Sequence, residues 1–359
     1  MKIDVKTDLW TYLAKSPKDV VMYGMGNGAD KILAVCDRYG ISVSDFFASD
    51  GFVRGHSFHG KRVLSYSEVK EKYGVDNMIV LLSFGSSLPD VLELFYKVDG
   101  ECEMYAPDVP VCGERLFNME FFNEHKEDLE KAYSLLADER SKEIFDCVVN
   151  YKLSGKISYL KEAVSTKGEV WDELIEKVSV AADLGAYNGD TAKELIERRP
   201  EIKKIYALEP DRRNFKKLSN FATNTQTVSI VAINAAAWNE DTALMFSDSG
   251  NRNSGAFAKG KQTEVEARSL DSILNGESVD YIKYDVEGAE KEALEGSVNT
   301  IKDFSPTLLV SAYHRSEDLF ALPLQLHSLY PNYSLYLRRY PYVPAWDLNL
   351  IAVPTKKNK

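Results

Sequence analysis

The chain has few cysteines, and their spacing excludes most cysteine-based architectures. Its 359 residues contain four of them, Cys36, Cys102, Cys112 and Cys147. No two form a CxxC pair, so the sequence predicts neither a zinc site nor a disulfide framework. Isolated cysteines in a chain of this length are typical of reduced, mostly buried thiols, and we therefore expect a cytoplasmic protein.

The chain also lacks a basic excess and long apolar runs. Its 44 basic residues are outnumbered by 55 acidic ones, which gives a formal net charge of -11. Because nothing offsets the charge of a phosphate backbone, nucleic acid is not an expected partner. The apolar run Met78–Leu82 is far shorter than the ~20 residues of a membrane span, and the first ten residues lack the apolar core of a signal peptide. No association with a membrane is expected.

The order of the remaining patterns predicts three parts. Residues 1–107 alternate strand and helix patterns and predict a Rossmann-like α/β domain, with strands at Asp19–Tyr23, near Ser42–Ala48 and at Met78–Leu82. Residues 108–176 show apolar positions at three- and four-residue spacing and predict a helical connector with a break at Ser154–Lys156.

Residues 177–359 predict a complete doubly wound α/β sheet. Its seven candidate strands are Val178–Leu184, Lys204–Leu208, Val228–Ile233, Tyr281–Tyr284, Thr307–Ser311, Ser334–Leu337 and Asn349–Val353. An insertion, Ala235–Leu270, follows the third of them and includes the polar stretch Asp248–Gly255.

The first of these strands ends in Asp183 and leads through Gly185 and Gly189 to a predicted helix near Thr191. Glycines let a ligand approach the backbone closely, and a helix N-terminus offers free N–H groups. The second strand ends in Glu209, where doubly wound folds place an acid on the ribose hydroxyls of a nucleoside. Each piece alone also fits an ordinary strand–helix turn; together they favour a nucleoside site.

Two acids, Asp285 and Glu287, follow the fourth strand directly. They are expected at the carboxyl edge, where such sheets bind ligands. Asp285 could instead be the N-cap of the next helix, with a nearby glutamate completing the cap.

The ordered motifs resemble the FkbM-type methyltransferases of the class I superfamily that uses S-adenosylmethionine (SAM). The likeness covers about residues 177–353. It rests on segments beginning at Asp183 (DLGAYNGD), Tyr206 (YALEP), Ser269 (SLDSI), Ile282 (IKYDVEGAE), Ser311 (SAYHR) and Tyr333 (YSLYLR).

The resemblance implies a seven-stranded sheet with a reversed last strand, SAM as methyl donor, and a small-molecule acceptor with a hydroxyl group, on a sugar or a secondary metabolite. It places Asp183, Gly185, Ala186, Asn188, Gly189 and Glu209 on the cofactor, with Asn234 and Ala235 near the adenine. Tyr187 stands where the general superfamily has its middle glycine.

His314 follows the fifth strand and is one of only five histidines. An imidazole with a pKa of ~6.5 suits the removal of a hydroxyl proton near neutrality. We therefore predict His314, Asp285 and Glu287 as the catalytic group, although a buried histidine bonded to a carbonyl is the simpler alternative. The same three side chains could also meet at a metal ion, but their spacing does not require one and no metal is predicted.

Two further features leave alternatives open. Gly24-x-Gly26-x-x-Ala29, with Asp50 as a ribose acid, matches a permissive dinucleotide fingerprint. It would suit a nicotinamide-dependent oxidoreductase or epimerase, and a SAM-fold scaffold without turnover is a non-enzymatic alternative.

Tyr340, Tyr342 and Trp346 could line an acceptor pocket or simply pack in a loop.

Overall fold

The structure is a computed structural model that describes residues 1–53, 55–247 and 262–355. The polar stretch Asp248–Gly255, singled out in the sequence, lies outside the described residues. In the part that is described, no helix is long and apolar enough to cross a membrane.

The N-terminal part is built on a five-stranded parallel sheet of order β5-β2-β1-β6-β7. Its strands, with a small separate hairpin of β3 and β4, are β1 (Asp19–Tyr23), β2 (Val43–Ala48), β3 (Ser57–Phe58), β4 (Lys61–Arg62), β5 (Leu64–Ser65), β6 (Met78–Leu82) and β7 (Glu103–Tyr105). The helices are α1 (Leu9–Leu13), α2 (Asn27–Tyr39), α3 (Tyr66–Tyr73) and α4 (Pro89–Glu101). The three predicted strands are confirmed within one residue at each end.

The connector is helical, as predicted. It comprises α5 (Met119–Glu124), α6 (Lys126–Ser134), α7 (Glu139–Ser154), α8 (Ile157–Glu162) and α9 (Lys167–Trp171). The predicted break after Ser154 is confirmed, because Gly155 ends α7 with φ +68°, a left-handed conformation that favours glycine.

The C-terminal part contains a seven-stranded sheet of order β10-β9-β8-β14-β15-β17-β16. Its strands are β8 (Val180–Leu184), β9 (Lys204–Leu208), β10 (Ser229–Ile233), β14 (Tyr281–Tyr284), β15 (Thr307–Ser311), β16 (Tyr333–Arg339) and β17 (Leu348–Pro354). Its helices are α10 (Asp190–Arg198), α11 (Arg212–Asn224), α12 (Leu270–Leu274), α13 (Glu290–Glu295), α14 (Val298–Phe304) and α15 (Asp318–Leu329). The last strand, β17, is antiparallel to both its neighbours, which confirms the predicted reversal.

The insertion after β10 forms a small sheet of its own. In it β13 (Gln262–Arg268) lies between β11 (Ala236–Ala237) and β12 (Thr242–Ser247).

The connector is buried between the two larger sheets. Phe145, Val148 and Val149 of α7 belong to the core of the C-terminal sheet, whereas Tyr151 of the same helix packs in the core of the N-terminal sheet. A buried ion pair joins Lys152 Nζ to Asp108 Oδ2 at 3.0 Å. Helix α7 of the predicted connector therefore contributes side chains to both cores.

Candidate active site

The loop after β8 makes the closest backbone approach at the sheet edge. Gly185 has φ +91°, and a Cβ added there would lie 1.9 Å from the carbonyl oxygen of Asp285, in the loop after β14. Only glycine fits both the dihedral angle and the space. Helix α10 then begins at Asp190, and its N-cap Gly189 provides no side-chain cap.

Asp183 lies beneath this loop at the end of β8 and is 2% exposed. Among the described residues neither of its carboxylate oxygens has a hydrogen-bond partner, although Lys283 Nζ lies 3.7 Å from Oδ1. Burial raises the pKa of Asp183 to about 6, and the nearby Lys283 partly opposes that rise. A buried acid with open acceptor positions is suited to a ligand that donates hydrogen bonds.

Glu209 ends β9 and faces the same loop. Its Oε2 accepts from the backbone N–H of Tyr187 at 2.9 Å, and its Oε1 accepts from that of Asp211 at 2.8 Å. Each carboxylate oxygen retains a second acceptor position. Burial raises the pKa of Glu209 to about 8, even though these N–H groups favour the ionised form.

The side chain of Asn234 is directed to the loop that follows β9, and its predicted place near the adenine stays a prediction. Its side-chain amide donates to the carbonyl oxygens of Glu209 at 2.8 Å and Pro210 at 3.0 Å. It therefore fixes the loop that carries Glu209, whereas the cavity wall on this side is formed by Ala236, Ala237 and Trp238.

Asp285 is held by several donors. Lys283 Nζ donates to its Oδ2 at 3.0 Å, and the hydroxyls of Ser311 and Tyr313 donate to its Oδ1 at 2.9 and 3.1 Å. Burial alone would raise the pKa of Asp285, but Lys283 and His314 outweigh it and lower that pKa to about 2. Helix α13 starts only at Glu290, with Ala289 as its N-cap, so the alternative of Asp285 as a helix cap is wrong.

His314 is 1% exposed and faces three carboxylates. Its Nδ1 lies 2.9 Å from Glu290 Oε1 in an ion-pair contact, and its Nε2 lies 3.6 Å from Asp285 and 3.7 Å from Glu287. Burial alone would lower the pKa of His314, but the three acids raise it to about 10. The imidazole is therefore protonated near neutrality, which makes it a poor base; the catalytic role predicted for His314 stays a prediction.

Glu287 adopts φ +56°, a left-handed conformation that is uncommon outside glycine. Burial raises the pKa of its carboxyl to about 7, partly opposed by His314. Of the three predicted catalytic groups, Glu287 is thus the one that changes charge near neutral pH.

These side chains meet at a cavity of about 350 Å³, within the usual range of small-molecule sites. Gly185, Glu209, Asp285, Glu287 and His314 line it, as do Tyr340, Tyr342 and Trp346. The predicted residues Asp183, Ala186, Asn188, Gly189, Asn234 and Ala235 are absent from that lining. They lie beneath or beside it, with Ala186 and Ala235 fully buried.

Two charged residues in the site have no role in the sequence-based prediction. Lys283 is a lysine within a buried strand, and Glu290 is a buried glutamate whose Oε1 accepts from Val286 N–H at 2.9 Å. A charge inside an apolar strand pattern is a signal for a buried partner. The sequence does not identify the partner of Lys283, because that depends on β14 lying beside β8 in the sheet.

Glu290, His314 and Asp318 are buried and offer ligand atoms within 4.8 Å of one another. Burial and the charge of Glu290 raise the pKa of Asp318 to about 8. Glu290 Oε1 lies 2.9 Å from His314 Nδ1, so in the described structure Glu290 forms an ion pair with His314.

The predicted ribose acid of the N-terminal glycine loop, Asp50, contacts the helix that follows it. Both carboxylate oxygens of Asp50 accept from Ser67, from its N–H at 3.0 Å and from its hydroxyl at 2.7 Å. Asp50 thus serves the start of α3, but each oxygen retains a second acceptor position, so the dinucleotide alternative stays a prediction.

Comparison with known proteins agrees with this geometry. Residues 183–343 match the family model of the methyltransferase FkbM domain. The structure of methyltransferase FkbM from Methylobacillus flagellatus KT superposes with a TM-score of 0.71 at 21% identity, covering 94% of this chain and 90% of that one. No curated protein sequence matches the chain significantly.

More distant structures resemble about half of the chain. An rRNA methylase from Streptococcus thermophilus has a TM-score of 0.35 at 13% identity, covering 52% of this chain and 92% of that one. Fibrillarin from Aeropyrum pernix, solved with natively bound S-adenosyl-L-methionine, has a TM-score of 0.33 at 14% identity, covering 50% of this chain and 67% of that one.

The family match and the fold together indicate a methyltransferase domain with a Rossmann-like sheet in the C-terminal part of the chain. Residues 183–343, less than half of the chain, match the FkbM methyltransferase domain, so this part of the chain resembles that family.

Proposed function

We propose that this protein transfers a methyl group from SAM to a hydroxyl group of a sugar or secondary metabolite. The observation that supports it is the single cavity in which the Gly185 loop, Glu209 and the Asp285–Glu287–His314 group meet. A nucleoside site and a site for proton removal are adjacent there.

The residues present fit SAM. Gly185 and Glu209 both line the cavity, and each carboxylate oxygen of Glu209 accepts one backbone N–H and retains a second acceptor position. In this proposal Glu209 accepts from the ribose hydroxyls, and Ala236, Ala237 and Trp238 lie along the base. When bound, SAM supplies an electrophilic methyl group on a cationic sulfonium.

Asp285 provides a permanent negative charge beside that group. Its pKa of about 2 keeps it ionised at any physiological pH, and its hydrogen bonds to Ser311 and Tyr313 fix its orientation. A fixed carboxylate at a cationic centre orients the ligand without reorganisation during the reaction.

Glu287 is our candidate general base. Its pKa of about 7 gives a mixture of base and acid forms at neutral pH, which is the favourable range for proton transfer. The protonated His314, 3.7 Å away, positions this carboxylate and stabilises its charged form. With SAM and an acceptor bound, Glu287 would take the hydroxyl proton as the acceptor oxygen bonds to the methyl carbon, and the bond from that carbon to sulfur would break with its electron pair left on sulfur.

The experiment that tests cofactor binding is calorimetric titration of the full chain with SAM and with its demethylated product. Glu209→Ala leaves the ribose hydroxyls without their acceptor, a loss of ~1–3 kcal/mol. SAM affinity should fall roughly ten- to a hundredfold. Glu197→Ala, an exposed glutamate on α10 paired only at the surface with Lys193, is the matched control and should bind normally.

Unchanged affinity in a folded Glu209→Ala protein would remove Glu209 from the site. If the chain binds SAM but methylates no hydroxyl acceptor, the protein is better described as a SAM-binding scaffold without turnover than as an enzyme.

A further inference from the structure

A second cavity lies at the carboxyl edge of the N-terminal sheet. It has a volume of about 230 Å³ and sits where β1 and β6 end, beside the start of α2. Its walls are mainly apolar, formed by Met25, Ile32, Leu82, Phe84, Pro107 and Pro344. This edge is where doubly wound sheets bind ligands, yet the proposed methyl-transfer reaction assigns it no role.

The second cavity adjoins the first. Val111 and Trp346 line both of them. Ser86 and Val343 exchange two backbone hydrogen bonds, of 2.9 and 3.1 Å, which join the loop after β6 to the loop between β16 and β17. These two hydrogen bonds thus join the loops that border the two cavities.

The wall between the cavities leads directly to the catalytic group. The N–H of Cys112, next to Val111, donates to the carbonyl oxygen of His314 at 2.8 Å. The Cys112 thiol donates to the carbonyl oxygen of Glu287 at 3.0 Å. A molecule that fills the second cavity and extends past Val111 therefore arrives at Glu287.

Among the residues that the structure describes, Lys31 is the one cationic side chain in this lining. It is half-buried on α2, and its Nζ donates to the carbonyl oxygen of Val111 at 3.0 Å. An ammonium group has two further protons to donate. A cation at one point of an apolar wall favours a ligand with an apolar body and a single anionic group.

We infer that this second cavity is the acceptor subsite, and that it takes a molecule with an apolar body and an anionic group, such as a phosphate, that is bound by Lys31. This inference rests on the proposed function, because it assigns the hydroxyl that Glu287 deprotonates to the same molecule. The N-terminal domain is then the part that selects the substrate, while the C-terminal domain binds the methyl donor.

The test uses 4-fluorophenyl phosphate as the probe and the full chain as the protein, with binding followed by fluorine NMR. Saturable binding is expected, with inorganic phosphate competing only weakly because it cannot fill the apolar walls. Lys31→Met should weaken probe binding about tenfold, as expected for loss of a charge-assisted contact. Lys31→Arg should retain it. Arg38→Met removes the same charge from the exposed far end of α2 and should leave binding unchanged.

Adding the demethylated product of SAM distinguishes the two cavities. If the inference is right, the probe stays bound in its presence, because donor and acceptor sites are adjacent but separate. Competitive displacement by that product, equal affinity in Lys31→Met, or absence of saturable binding would each overturn the inference. Failure of SAM itself to bind would instead refute the proposed function, so the two failures are distinguishable.

Discussion

At the scale of single residues, the site is governed by one imidazole among carboxylates. His314 contacts Glu290 through Nδ1 and faces Asp285 and Glu287 with Nε2. The three acids keep the imidazole charged, and its charge in turn favours ionisation of Asp285 and Glu287. Ordinary pKa values would suggest His314 as the base. In this site we assign Glu287 as the base and His314 as the group that positions it.

We predict that His314 remains protonated at pH 8, because its pKa of about 10 lies two units above that pH. Nitrogen NMR of the imidazoles should show one charged histidine at pH 8, and His314→Gln should remove its signal. A spectrum with only neutral imidazoles at pH 8 would contradict the charge assigned to His314.

Glu287→Gln should lower turnover ~100- to 10,000-fold, the usual contribution of a general base, with SAM affinity nearly unchanged. Since the base acts when deprotonated, kcat/KM of the native enzyme should rise with pH through about 7 and then level off. The measurement is methyl transfer to the identified acceptor across that range. A rise centred near pH 10 would instead identify His314 as the base.

At the scale of elements, the geometry of the site depends on how closely two loops approach each other at the carboxyl edge of the sheet. The loops after β8 and β14 meet at Gly185, where any side chain would strike Asp285. The position of the Asp285 carboxylate is therefore coupled to the glycine loop that the proposed cofactor contacts.

Gly185→Ala should destabilise the fold by more than the ~1–2 kcal/mol of left-handed strain alone, because of the clash with the Asp285 carbonyl, and it should also weaken SAM binding. Gly276→Ala is the matched control, since Gly276 has φ +87° but no atom within 4 Å of the added Cβ. Denaturant unfolding and SAM titration of both variants check this. Equal losses of stability in the two would show that the contact with Asp285 is unimportant.

At the scale of the whole molecule, α7 joins the two halves. Its residues belong to both cores, and the Lys152–Asp108 ion pair is buried. Removing the N-terminal domain would expose the apolar face that carries Tyr151. The division into residues 1–107, 108–176 and 177–359 remains a prediction about folding units, and the shared helix argues for cooperation between them.

We expect native protein to unfold in one transition. SAM at a hundred times its Kd should raise stability by ~2.7 kcal/mol and shift the signals of both halves together, because α7 transmits the change. Hydrogen exchange of amides in β1 and β14, with and without SAM, is the measurement. Protection gained in β14 alone would show that the halves unfold independently.

The sequence by itself determined the elements and the edge at which they act. Apolar runs such as Thr307–Ser311 and glycines such as Gly185 are local signals, because they depend on each residue's own backbone preference and burial. The parallel order then places Asp183, Glu209 and Asp285 at one edge wherever the strands end. That much follows without coordinates.

Only the tertiary structure decided what the residues at that edge do. The charge of His314 depends on Glu290, which lies on another element. The turn of Asn234 towards the Glu209 loop depends on the packing of β10 beside β9, and the adjoining cavities depend on contacts between the two sheets. These properties arise from distances between residues far apart in the chain, on which electrostatic and packing energies depend and which no local pattern encodes.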